Sequence, residues 1–218
     1  MKPTKITERN IMFSEPVWDD YGLNLGLILG VKHNFIIDTG LGSGSVQPIL
    51  DYIGESDKPI IVVNTHYHWD HIWGNCVFEN GTIIAHPLCI KKQDKLWKKT
   101  LRKHKKYRNG DTAKCIANTP LDGVMYFEED GVIIFASPGH SADDISVYDM
   151  VDKVLYVGDN VGDSDEDILP SIGTDDETFR RLIKLYETYD FEVCISGHNT
   201  PQGRDVLARM AAALDEED

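Results

Sequence analysis

The chain has 218 residues with 41% hydrophobic composition, enough to bury a sizeable core, which excludes disordered and fibrous architectures. Its 22 basic and 36 acidic residues leave a formal charge of −14, which argues against nucleic acid and anionic membranes as partners. The apolar run at 25–31 is broken by Gly26 and Gly30 and falls well short of the roughly 20 residues of a membrane helix, so no membrane span is expected.

In chain order, the first ten residues carry charge but no apolar stretch of the secretory kind, so a cytoplasmic location is expected. Strand-like runs at 23–31 and 34–38 lead into a glycine-rich loop and a short helix at 46–53. The run Ile60-Ile61-Val62-Val63 has the character of a buried strand and stops at Asn64-Thr65. A strand at 82–85 precedes a basic segment, 91–108, which holds ten of the 22 basic residues and one acid, Asp94. Ile90, Trp97 and Leu101, followed by His104, suit a helix buried along one stripe. Its lysines either lie along a solvated face or steer an anionic substrate. Further strands are expected at 124–127, 132–135, 145–148, 154–157 and 193–196, and helices at 176–189 and 206–214. No repeat or linker divides the chain, so one domain over 1–218 is expected, built as two sheets with helices outside. Cys76, Cys89, Cys115 and Cys194 form no CxxC pair and read as free thiols packed as small hydrophobes.

The chemistry concentrates in Thr65-His66-Tyr67-His68-Trp69-Asp70-His71. Neutral imidazoles gain little from crowding, whereas a borderline-soft cation takes nitrogen and carboxylate oxygen together. Residues two apart in an extended loop face the same way, so His66 and His68 can close on one ion. A helix beginning near Trp69 would turn Asp70 and His71 toward a neighbouring ion. Pro138-Gly139-His140, Gly158-Asp159 and Gly197-His198 each follow a strand-like run, where a sheet edge can bring distant residues together.

The set His66-x-His68-x-Asp70-His71, His140, Asp159 and His198 resembles the metallo-β-lactamase superfamily in motif and order. The resemblance implies an α+β fold, an αββα sandwich of two mixed β-sheets with helices on the outer faces and metals at one edge. It also implies a dinuclear, glyoxalase II-like site: His66, His68 and His140 on one ion, Asp70, His71 and His198 on the other, and Asp159 bridging. Two divalent ions are expected, zinc first, with iron or manganese as alternatives. A bridging hydroxide, ionised near neutral pH and oriented by Asp70, would attack an ester, thioester, lactone or phosphoester of a small, anionic substrate. Class B β-lactamases lack the bridging aspartate and are exported, so antibiotic hydrolysis is not expected. Quorum lactonases place a tyrosine shortly after that aspartate, where this chain has Gly162 and Asp163. Glyoxalase II carries a further helical extension, whereas this chain runs only about twenty residues past His198. The rival reading is an oxidoreductase like the persulfide dioxygenases, which hold one iron through positions matching His66, His140 and Asp159. Relatives are often homodimers, which leaves the oligomeric state open. Asp38 is read either as orienting a ligand histidine or as a turn former, and His86 as structural.

Overall fold

In the computed structural model, which describes residues 1–18, 21–164 and 166–216, two mixed sheets face each other between helical layers. The first sheet has seven strands in sequence order: β1 (Lys2–Lys5), β2 (Asn10–Trp18), β3 (Tyr21–Leu29), β4 (Asn34–Ile37), β5 (Ile60–Val63), β6 (Thr82–Ala85) and β7 (Thr119–Pro120). Pairing is antiparallel from β1 to β4 and parallel from β4 to β7. The second sheet comprises β8 (Val124–Phe127), β9 (Val132–Ala136), β10 (Ile145–Asp149), β11 (Val154–Tyr156), β12 (Val193–Ile195) and β13 (Gln202–Gly203), with only β11 and β12 parallel.

Period-two alternation divides the apolar residues of the first sheet between two cores. Phe35, Ile37, Val63 and Ile84 meet Ile134, Val147 and Tyr156 of the second sheet between the layers. Leu23, Leu25, Leu27, Ile36 and Val62 face outward onto α1 (Ser43–Ile53) and α3 (Pro87–His104), through Val46, Ile49 and Cys89. The short α2 (Trp69–Ile72) lies between these helices in sequence. On the other side, α4 (Asp176–Glu187) and α5 (Val206–Glu216) cover the second sheet with Phe179, Leu182, Ile183, Tyr186 and Met210. This is the expected αββα sandwich.

Several local features differ from expectation. β2 is a nine-residue strand that the sequence pattern did not announce, because Pro16 interrupts it where its register with β3 shifts. α1 begins at Ser43, three residues before the expected start. α3 buries Cys89, Gln93 and Trp97, so a polar residue shares the stripe; Gln93 holds Asn64 and the Ala117 amide. All four thiols are free, but only Cys89 and Cys194 are buried, while Cys76 and Cys115 are half-exposed. Among the described residues no helix is long and apolar enough to cross a membrane.

Strand direction places the site. β4 and β5 are parallel, and β9, β11 and β12 run the same way as one another, so Asp38, His66, His140, Asp159 and His198 all follow carboxyl ends of strands. The sheets are tied together at that edge by backbone bonds from Ile145 to the Thr65 carbonyl, 2.9 Å, and from Asn24 to the Gly197 carbonyl, 2.7 Å.

Candidate metal centre

The seven residues singled out in the sequence converge at this edge. His66, His68, His140 and Asp159 form one group and Asp70, His71 and His198 another, each with its potential ligand atoms within 4.8 Å of one another. Asp159 lies between them: one carboxylate oxygen is 3.3 Å from His66 Nε2 and 3.4 Å from His198 Nε2, and the other is 3.3 Å from His71 Nε2. Asp70 lies 3.7 Å from His198 Nε2. α2 starts at Trp69, just after His68, whose carbonyl accepts from the His71 amide at 3.1 Å, so its single turn carries Asp70 and His71 inward while His66 and His68 approach from the extended loop.

Hydrogen bonds fix the tautomers of four rings. The Nδ1–H groups of His140 and His198 donate to the carbonyls of Ser171, 2.9 Å, and Gly22, 2.7 Å, and that of His71 donates to Asp38, 2.8 Å. Thr65 Oγ1 spends its proton on Asp38 and therefore accepts from His66 Nδ1, 3.1 Å. In the neutral rings each Nε2 is left facing the centre as a lone pair, the arrangement that ligating histidines require. Asp38 achieves this in a left-handed backbone conformation, φ 62°, held by the Thr65 amide, 2.8 Å, and hydroxyl, 2.7 Å. It therefore orients His71, the more specific of its two expected roles. At Gly197, any side chain would run into the Asp159 carboxylate and the His71 ring.

The electrostatics of the two groups differ. Burial, reinforced by the His71 charge, pulls His66 down to about 4, and burial with His66 nearby pulls His68 down to about 3, so both rings are neutral. Burial also opposes charge on His198, but Asp159 and Asp70 overcome it and raise the ring to about 9. His71 is likewise raised against burial, by Asp159, Asp38 and Asp70. Asp159 is held well below the usual carboxylate range, where His71, His198 and His66 outweigh its burial.

A cleft of about 560 Å³ opens onto these groups, with His68, Asp70, His140 and Asp159 at its floor. One wall is the α3 face bearing Lys99, Thr100, Lys103 and His104; the other carries Asp163, Asp167 and Ser171. The basic segment is thus split. Lys99 and Lys103 line the cleft, whereas Lys92 is committed to buried Asp143 at 2.6 Å and lies over the Tyr67 ring. His86 caps α3 by accepting from the Leu88 amide, and His33 is bound to Asp130; neither belongs to the two groups. The sequence reading did not find Tyr21, which enters from the β2–β3 hairpin and stacks on His198, ring centroids 4.3 Å apart. Burial, with Asp70, Asp159 and Asp163 nearby, pushes its phenol pKa up, so it remains a donor. Nor did it find Asn160, which holds the His140 amide, 2.8 Å, and the Ser137 carbonyl, 2.9 Å.

Comparison with known proteins gives a consistent family picture. The chain is 27% identical to the acyl-coenzyme A thioesterase MBLAC2 of Gallus gallus over 215 residues, covering 87% of this chain and 76% of that protein. It is 26% identical to the Homo sapiens protein of the same name, covering 87% and 77%. The solved structure of TMB-1 matches with a TM-score of 0.78 at 15% identity, over 99% of this chain and 97% of that one. The metallo-beta-lactamase FIM-1 from Pseudomonas aeruginosa, in a mono-zinc form, matches with a TM-score of 0.76 at 15% identity, over 99% and 95%. At such identities these structures speak for the fold alone. The family model of the metallo-beta-lactamase superfamily matches residues 19–198, and this chain accordingly belongs to that superfamily and is one of its hydrolases.

Proposed function

We propose that the protein is a metal-dependent thioesterase acting on an acyl thioester of an anionic carrier of the coenzyme A class. Two divalent ions, zinc first, would be held by His66, His68 and His140, by Asp70, His71 and His198, and by Asp159 between them. The observation that carries the metal reading is the set of buried atoms without a hydrogen-bond partner: His66 Nε2, His71 Nε2 and Asp159 Oδ1. Such groups are costly unless a cation engages them. Spacing supports the fit. Separations of 3.2 Å between His140 Nε2 and His68 Nδ1, and of 3.3 to 3.4 Å from Asp159 to His66, His71 and His198, match the edge of about 3.3 Å of a tetrahedron of ligands around zinc. The thioester reading draws on the relatives named acyl-coenzyme A thioesterase and on Lys99 and Lys103, one helical turn apart on the cleft wall.

When bound, such ions supply Lewis acidity and lower the pKa of water toward roughly 7. The chain's own residues then supply position. Asp70 accepts a hydrogen bond from the attacking water and aims it at the thioester carbon; the C–S bond breaks, and the acid and the carrier thiol leave. Asp38, Ser171 and Gly22 keep the histidines in the tautomers the centre needs. Lys99 and Lys103 hold the anionic carrier along α3, with the acyl group toward the floor.

Elemental analysis of protein purified without added metal or chelator, run beside thiol release from an acyl-coenzyme A panel, tests both halves. About two zinc ions per chain with thioester turnover is the expected result. About one iron with oxygen-dependent persulfide consumption would replace the hydrolase reading. Turnover confined to phosphoesters or lactones would replace the substrate.

A further inference from the structure

Besides the seven ionisable residues, a phenol reaches the centre. Tyr21 Oη lies 2.8 Å from His198 Nε2. His198 has already spent its Nδ1 proton on the Gly22 carbonyl, 2.7 Å, so in the neutral ring that a metal ligand must be, Nε2 bears the lone pair and the tyrosine is the donor. That lone pair is the one the proposed metal site would use. The phenol is held independently of it by ring stacking on His198, interplanar angle 28°, and by its place at the start of β3, whose next residue accepts from the same histidine. With Nε2 engaged elsewhere, the hydroxyl remains beside the centre, in the cleft that Asp70, His140 and Asp159 also line.

We infer that Tyr21 is a further catalytic residue, whose hydroxyl donates a hydrogen bond to the carbonyl oxygen of the scissile bond as that oxygen becomes negative. The inference rests on the carbonyl-hydrolase reading above and adds to it a donor from the chain itself. A donor at a developing oxyanion contributes mainly in the transition state, so its loss lowers kcat more than it raises KM. A residue that only packed against His198 would tolerate loss of the hydroxyl, because the ring contact survives in phenylalanine.

The test is Tyr21→Phe, compared with the natural protein after both are shown to hold the same metal per chain. The expected result is a fall in kcat of about 100-fold with little change in KM. Binding supplies a second readout. A coenzyme A thioether bearing a trifluoromethyl ketone, whose hydrate carries an oxyanion, should bind the variant at least about tenfold more weakly, while the propyl thioether, which has no carbonyl, should bind both proteins alike. Undiminished kcat, or equal affinity for the ketone, overturns the role; loss of metal from Tyr21→Phe overturns it in favour of support for His198. If the natural protein cleaves no thioester but still binds the ketone more tightly than the variant does, the thioesterase reading fails while the role of Tyr21 stands.

Discussion

At the end of the sandwich remote from the cleft, Asp149 has no exposed side-chain surface, yet Arg9 at 3.1 Å, Asn10 at 2.7 Å and the Val151 amide at 3.0 Å surround it. Asp130 in the same region accepts from the Lys32 and His33 amides and pairs with the His33 ring at 2.7 Å. Burial pushes its carboxyl up, but these bonds outweigh it and hold it below the usual range. At the cleft end Asp159 is also buried, but its nearest neighbours are imidazole nitrogens at 3.3 to 3.4 Å, beyond hydrogen-bond length, and two of those nitrogens and one of its own oxygens have no hydrogen-bond partner. The same residue type is closed by the chain's own cation at one end and left open for a supplied cation at the other. At these two positions the neighbouring groups, more than burial or residue identity, separate a structural carboxylate from a candidate ligand.

The largest expected effects come from breaking each end separately. Asp159→Ala should weaken metal retention by at least about 100-fold and abolish hydrolysis, while far-ultraviolet dichroism shows the sandwich intact. Asp149→Ala should do the reverse. Stranding Arg9 costs about 3 kcal/mol of unfolding free energy, read by denaturant titration, with metal affinity preserved. Full activity in a folded Asp159→Ala protein would remove the dinuclear reading.

Acidity sharpens the contrast. In the metal-free protein, His198 is raised from 6.5 to about 9, so its contribution to stability is complete below about 6.5 and is lost as pH rises through about 9. His71 shifts in the same direction. Metal-free protein should therefore unfold more easily at pH 9 than at pH 6.5. Metal affinity should rise over the same window, by about tenfold per pH unit for each proton displaced. Titration calorimetry in buffers of different ionisation enthalpy reads those protons directly, and binding without proton release would contradict the charge assignment. Asp130, a depressed carboxylate, gives the far end the opposite sign: its contribution is lost only as pH falls below 3.8.

The two regions were unequally visible in the sequence, for physical reasons. His66, His68, Asp70 and His71 occupy one loop and a single helical turn, so spacing alone places them together; His140, Asp159 and His198 could be read because each follows an apolar run and a glycine. The layers were readable from period-two and helical apolar spacing, except at β2, which Pro16 interrupts, and at the short strands β1, β7 and β13. What stayed hidden depends on contacts across the fold. Tyr21 meets a partner 177 positions away, and Arg9 meets Asp149 through pairing that no local pattern encodes. Asp38 falls between these cases. It was noticed as an aspartate before a turn, but its left-handed backbone and its bond to His71 emerge only once β4 and β5 lie side by side. Asp38→Asn keeps the size while removing the charge facing His71, and should cost about tenfold in metal affinity, measured by competition with a chelator.

The smallest effects belong to the rim. Lys99 and Lys103 are exposed, so each contributes only modestly to binding an anion, on the order of 1 kcal/mol. Lys99→Ala and Lys103→Ala should each raise KM for an acyl-coenzyme A roughly fivefold, leave kcat and metal content alone, and flatten the fall of kcat/KM with added salt. Lys95→Ala, at an exposed position of the same helix that does not line the cleft, supplies the control, since it changes net charge equally. If all three variants lower kcat/KM alike, the helix acts through its overall charge; if only Lys99 and Lys103 do, the carrier touches them directly along this wall, because Lys95, one helical turn or about 6 Å from Lys99, would share any influence that reaches as far as the screening length of about 10 Å.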